Sequence, residues 1–314
     1  MSTCTKNGGG HHLAASIGEK YKIQGVNHET YLRGLAQLRP LTYWDYVEVD
    51  TLLSLQKPRT DFKDEEVFIM YHQVTELMLK LMLHEIKQIC SGDLSTEKLL
   101  VKVSRLNRYT GILINSFDIM KHGMDYDDYN TFRCALAPAS GFQSVQFRYI
   151  ELYCTRLQNL VNAEGKQRLP IDPRTEDYFE QIYWRDAGTD RIACQKTLTL
   201  QLFEERYLAE LIRTAQEMKG KTLEEKITGK TLPEDLVSEL KNFDYLYNVK
   251  WPLVHLETAA FFLDRKGENK AATGGSKWKN YLHPESQQRK FFPDLWTGNN
   301  ILEWKANEHL QTQR

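Results

Sequence analysis

The chain lacks an excess of charge of either sign: 41 basic and 42 acidic side chains leave a formal charge of −1. That excludes a whole-protein field able to gather nucleic acid or an anionic membrane surface, and points to a neutral small molecule or zwitterion as partner. Cysteine is sparse and widely spaced, at Cys4, Cys90, Cys134, Cys154 and Cys194. With neither a Cys-x-x-Cys pair nor its Cys-x-x-Cys-His extension, a redox dithiol and a covalently attached prosthetic group are both excluded, and free thiols in a reducing cytoplasm are expected. No apolar run reaches the length of a membrane span, and the first twenty residues hold no secretory core. Gly8 to His12 could bind a metal through His11 and His12, but a polar, flexible leader over residues 1–30 is the expectation. Alternating runs of β-branched residues bounded by turns are almost missing, as are internal repeats and any Pro/Ser-rich linker.

What is present is helical periodicity. From Asp64, apolar residues recur at three- and four-residue steps through Met70, Val74, Leu77 and Leu81 to Ile86. A second stripe runs through Leu99, Val103, Leu106, Leu113, Phe117 and Met120, and a third helix opens near Gly141 with Phe142, Val145, Tyr149 and Leu152. Leu200 to Met218 and Leu236 to Leu263 complete an all-α set, the last carrying Pro252, which must kink the helix or open a new one. The spacing predicts one all-α domain over residues 31–304, with an irregular excursion at 165–197, a mobile loop at 264–280 and a polar tail at 305–314.

Three stretches carry candidate chemistry. Phe68 and His72 lie one helical turn apart in Phe68-Ile69-Met70-Tyr71-His72, on a face other than that of Val74, Leu77 and Leu81. An imidazole beside a phenyl ring suits an aromatic ligand with an N–H; read alone, His72 fits a satisfied core histidine as well. His84-Glu85 is followed by Gln88 where a zincin needs a second histidine, so that metal motif fails. Tyr129 and Arg133 are also four apart, and a guanidinium there would hold a carboxylate or form a surface ion pair. Ser140 and Gly141 follow Pro138 at a tight turn, where the hydroxyl can cap a helix. Trp251 precedes His255 by one turn in apolar surroundings, fit for a neutral metal-binding imidazole or a buried hydrogen-bonded one. Thr273-Gly274-Gly275-Ser276 lacks the Gly-Lys-Ser/Thr of a phosphate loop and reads as a substrate lid or as plain flexibility.

Together, Phe-Ile-x-x-His-Gln at 68 to 73, Pro-Ala-Ser-Gly-Phe-Gln-Ser-x-Gln-Phe-Arg at 138 to 148, and Trp-x-x-x-His at 251 to 255 followed by Thr-Gly-Gly-Ser resemble the tryptophan 2,3-dioxygenase family. The resemblance runs from about Tyr43 to the Thr273 loop and is weakest over Gly165 to Leu236. It implies a helical bundle enclosing a b-type haem, with His255 as proximal iron ligand and Tyr43, Tyr46, Ser140, Gly141 and Trp251 around the cofactor. It also implies His72 as the distal histidine facing the indole N–H, in a substrate slot formed by Phe68, Ile69, Met70, Tyr71 and Tyr129, with Arg133 and Thr273 on the amino-acid end. Tyr129 stands where animal members carry phenylalanine. The implied reaction takes L-tryptophan and O2 to N-formyl-L-kynurenine in a cytoplasmic homotetramer, the N-terminal segment contacting a neighbouring subunit. A related monooxygenase acting on another indole or phenolic amino acid, or a non-catalytic haem sensor, are the rival readings. Two departures bear on the lid: the distance from His255 to Thr273 is longer than in the family, and a second Ser-Gly after Gly275 is missing.

Overall fold

The computed structural model describes residues 9–23, 25, 27–190, 195–268, 270–272, 278–284 and 289–296. Contacts divide the chain into two units, Met1–Leu55 and Gln56–Arg314. In the first, α1 (Gly9–Ile23) and α2 (His28–Gln37) occupy the stretch read as a leader, followed by the short α3 (Tyr43–Val47) and α4 (Val49–Leu52). Asn27 caps α2 by accepting the Glu29 N–H at 2.9 Å, and Tyr21 stacks on Tyr31 at 4.3 Å.

The second unit is built on two long helices, α5 (Asp64–Ser91) and α6 (Thr96–His122). Three acidic residues open α5 where the helix dipole favours them. Ser95 caps α6 by accepting from Lys98 N–H at 3.4 Å. At the far end of α6, Gly123 donates to the Ile119 carbonyl, and a Cβ at Gly123 would stand 2.5 Å from that oxygen, so only glycine closes the helix this tightly. The short α7 (Tyr126–Phe132) follows, continued by a 3-10 turn over Arg133–Leu136, and then a second 3-10 turn (Gly141–Gln143) leads into α8 (Val145–Cys154).

Residues 163 to 227 hold α9 (Ala163–Arg168), α10 (Thr175–Glu180), α11 (Tyr183–Ala187), a two-residue hairpin of β1 (Thr189–Asp190) with β2 (Gln195–Lys196), α12 (Leu198–Met218) and α13 (Leu223–Ile227). The expected excursion packs inward: Phe179, Ile182 and Trp184 join Leu152, Leu200, Phe203 and Leu211 in a core of their own. The larger core lies where α6 meets α5 and α14 (Glu234–Tyr245), around Met82, Ile86, Val103, Leu106, Leu240, Phe243 and Tyr247.

A π-helical turn, Leu246–Lys250, joins α14 to α15 (Trp251–Leu263). Pro252 has no N–H and its ring clashes with the carbonyl four residues back, so the chain widens there, and Trp251 N–H donates to Leu246 O five residues earlier. The α6 stripe is buried as expected. On α5 the expectation needs correcting: Met70, Val74, Leu77 and Leu81 are 40 to 49% exposed, and Tyr71, Leu79, Met82, Leu83 and Ile86 face the core instead. The helix is apolar on two sides, and period alone does not say which side is covered. The last α-helix among the described residues, α16 (Trp278–Leu282), begins inside the segment expected to be loop, with Trp278 buried. No helix among the described residues is long and apolar enough to cross a membrane.

Candidate functional site

A cavity opens between α5, α6, α8 and α15, and with its mouth takes in about 860 Å³. Tyr71, Phe117, Phe142, Phe147 and Trp251 make its walls mostly aromatic, and both His72 and His255 face it.

His72 Nδ1 lies 2.7 Å from the Phe68 carbonyl one turn earlier on α5. A carbonyl only accepts, so the proton sits on Nδ1, and the neutral ring presents Nε2 as an acceptor. Burial pushes its pKa down, against the Phe68 bond and the Glu76 charge, which push it up. Phe68 packs on the ring at 4.1 Å and Tyr71 meets it edge-on at 5.3 Å.

His255 is carried by α15 just past the π turn, its ring 5.4 Å from Phe117. It lines the cavity, and much of its surface is reachable. Burial, and then the nearby His72, hold its pKa down to about 4, leaving a neutral imidazole with a lone pair for a metal. It has no hydrogen-bond partner among the described residues, and those residues contain no group of three His, Cys, Asp or Glu side chains able to chelate a bare ion. A neutral imidazole on the cavity wall is a donor that would suit an iron held mainly by its own macrocycle, as in haem. Gly141 fits the same group: it lines the cavity, and a Cβ there would meet nothing within 4 Å.

The remaining predicted residues fall into layers. Trp251, Gly141, Tyr71, His72 and His255 line the cavity. Phe68 lies behind His72 and touches Tyr129 at 6.0 Å, and Ile69 is half-buried. Arg133 is buried on the far side of Tyr129, hydrogen-bonded to its hydroxyl and donating to the Ala271 carbonyl, while its Nε has no partner among the described residues. Met70 turns outward, because consecutive helical residues are spread about 100° apart and five in a row cannot share one pocket. Ser140 does not line the cavity; its hydroxyl accepts from Phe142 N–H at 3.3 Å in a capping box with Gln143. Tyr43 and Tyr46 are exposed on α3 of the first unit, and Thr273 lies outside the described residues.

Sequence reasoning missed a buried ionic group in the wall. Arg148 of α8 donates to the Tyr183 hydroxyl at 2.5 Å and lies 3.6 Å from Glu151, while Tyr183 donates to Glu151 at 2.5 Å. Arg289 donates to both Glu151 and the Tyr183 oxygen. Arg148 closes the 138 to 148 motif, but nothing local marks Tyr183 or Arg289, which come from elements far apart in the chain.

Fold and cavity together define an all-α protein built around an aromatic chamber that holds two neutral imidazoles. A family model described as tryptophan 2,3-dioxygenase matches residues 33–183. A tryptophan 2,3-dioxygenase of Bacillus thuringiensis is 30% identical over 275 residues, 82% of this chain and 91% of the relative. Enzymes of the same name from Bradyrhizobium diazoefficiens and Ruegeria are 26% and 28% identical, over 94% and 91% of their lengths. The chain belongs to the tryptophan 2,3-dioxygenase family.

Proposed function

We propose that this chain is a haem-dependent dioxygenase that inserts both atoms of O2 into the C2–C3 bond of L-tryptophan, giving N-formyl-L-kynurenine, the first step of breakdown by the kynurenine route. Family membership supports the reaction, and one observation supports the site proposed for it: His255 and His72 line the same aromatic cavity. The missing Cys-x-x-Cys-His favours a non-covalent, b-type haem. His255 would hold it, with Gly141 and Trp251 against it and Ser140 shaping the turn beside it.

When bound, the haem supplies the redox chemistry toward dioxygen. The protein's part is orientation and exclusion of water. His72 Nε2 accepts the indole N–H and fixes the ring's position; it positions the substrate without having to remove the proton. Phe68, Ile69, Tyr71 and Tyr129 form the apolar slot, and Met70 adds none of its surface to it. Arg133 takes the amino-acid carboxylate through the Nε–H that has no partner among the described residues, and Thr273 binds the same end. The reading extends to a cytoplasmic homotetramer in which Tyr43 and Tyr46 reach a neighbouring subunit. It assigns residues 31–304 to the catalytic body, with 264–280 as lid, 1–30 as leader and 305–314 as tail.

The test is anaerobic reduction of the haem-loaded protein, addition of L-tryptophan, then isotopically labelled O2. Formylkynurenine carrying two labelled atoms is expected, and one labelled atom would make the enzyme a monooxygenase. His255→Ala is expected to abolish haem retention; full loading in that variant would remove His255 from the iron.

A further inference from the structure

The outward face of α5 has a pattern of its own. Met70, Val74, Leu77 and Leu81, each almost half exposed, follow one another at steps of four, three and four residues. Alternating four- and three-residue steps mark the seam along which two helices interlock side chains. The seam is apolar over about three turns and stops at both ends, where Val67 packs against the core and His84 is polar and exposed. An apolar stripe of this kind is costly in water until another apolar surface covers it.

The two flanks of the seam differ. One turns inward: Tyr71 and Glu85 are buried, and Met78 packs on the core. The other carries Glu66, Gln73, Lys80 and Lys87, of which the three charged residues are exposed. Lys87 leans over the Tyr153 ring of α8 at 5.6 Å. Charge on this flank is ordered, negative near the start of the helix and positive toward its end. Antiparallel self-pairing about a twofold axis between Val74 and Leu77 sets Met70 against Leu81 of a second copy, and Val74 against Leu77. The same axis brings Glu66 opposite Lys87 of the second copy, twice by symmetry, and Lys80 opposite the uncharged Gln73. A parallel pairing would instead set Lys80 and Lys87 beside their own counterparts and align the two helix dipoles.

We infer that α5 is a self-association surface: two copies of this chain pack antiparallel along Met70, Val74, Leu77 and Leu81, with Glu66 of each paired to Lys87 of the other. From Glu66 to Lys87 the contact spans about 30 Å of helix. It does not depend on the haem reading, and it gives the proposed assembly a face that neither Tyr43 nor Tyr46 supplies.

Sedimentation of the full-length chain at low ionic strength, where surface charges are least screened, tests this. The wild type should form an assembly of two or more copies, and Leu77→Glu, a change at an exposed position, should halve its mass. Glu66→Lys and Lys87→Glu should each weaken association by roughly 10-fold or more, because two like-charged contacts replace two ion pairs. Mixed in equal amounts, those two variants should regain the wild-type affinity as a mixed pair, since each then meets its opposite charge across the axis. The double variant Glu66→Lys/Lys87→Glu should regain it alone. Single variants that stay weak when mixed would show that these charges act within one copy, and would overturn the proposal. Wild-type mass in Leu77→Glu would give the stripe to another occupant, a different protein or the chain's own first unit; that too overturns the proposal, while leaving an assembly through Tyr43 and Tyr46 standing. A monomeric wild type would sink both.

Discussion

At His72 the bond from Nδ1 to the Phe68 carbonyl does more than hold the ring: it decides which nitrogen carries the proton and so which kind of partner the other can accept. His72→Phe keeps a flat ring and removes the acceptor. It is expected to lower kcat/KM for tryptophan by about 1.5 to 3 kcal/mol in transition-state free energy. The same variant should show little loss with 1-methyltryptophan, which has no N–H to donate, and an equal loss with both substrates would show that the acceptor is not what matters. At this scale the sequence was legible where residues sit in compact motifs, as His72, Gly141, Trp251 and His255 do. It was not legible for Phe117, Tyr183 and Arg289, whose places in the wall come from contacts between distant elements.

Among the elements, α14, the π turn and α15 form one helical path whose register sets the direction of His255. Reverting five π residues to α geometry would turn everything beyond them by about one residue, roughly 100°. Pro252→Ala removes the reason for the wide turn, so haem binding should weaken while helix content by circular dichroism stays near that of the wild type; unchanged affinity would mean that packing, and not Pro252, holds the register. At the start of α5, burial works to raise the Glu65 pKa, but bonds from Thr60 and from the Arg59 and Thr60 N–H groups, with the Arg59 charge, hold it below 4.5. The folded state therefore binds fewer protons there than the unfolded one. Its contribution is complete above about pH 4.5 and is lost as the pH falls through the lowered folded value. Urea unfolding between pH 6 and pH 3 should show a shallower decline for Glu65→Gln than for the wild type. The helices themselves were readable from their period, whereas the outward stripe of Met70, Val74, Leu77 and Leu81 was not, since α5 is apolar on two faces.

On the scale of the molecule, the cavity draws on the two larger cores of the second unit: Phe142 and Tyr183 belong to the core of α11 and α12, Tyr71 and Phe117 to that of α5 and α6. A ligand bound there ties the cores together and stabilises the fold by mass action, about 2.7 kcal/mol at a hundred times its Kd. Calorimetry should show melting of the wild type rising with added haem, and no such rise for His255→Ala. The inward packing of residues 165–197 was hidden in the sequence, because Phe179, Ile182 and Trp184 are set among Pro, Gly and charged residues that resemble a surface loop.

The ionic wall is assembled from residues 148 and 151, 183 and 289, so its last member is synthesised long after the first two. At about 5 to 20 residues per second, Arg289 leaves the ribosome many seconds after Glu151. Until then a growing chain can fold its helices but leaves the buried Glu151 and Tyr183 without their bonds to Arg289, so this wall of the cavity closes only after residue 289 has emerged.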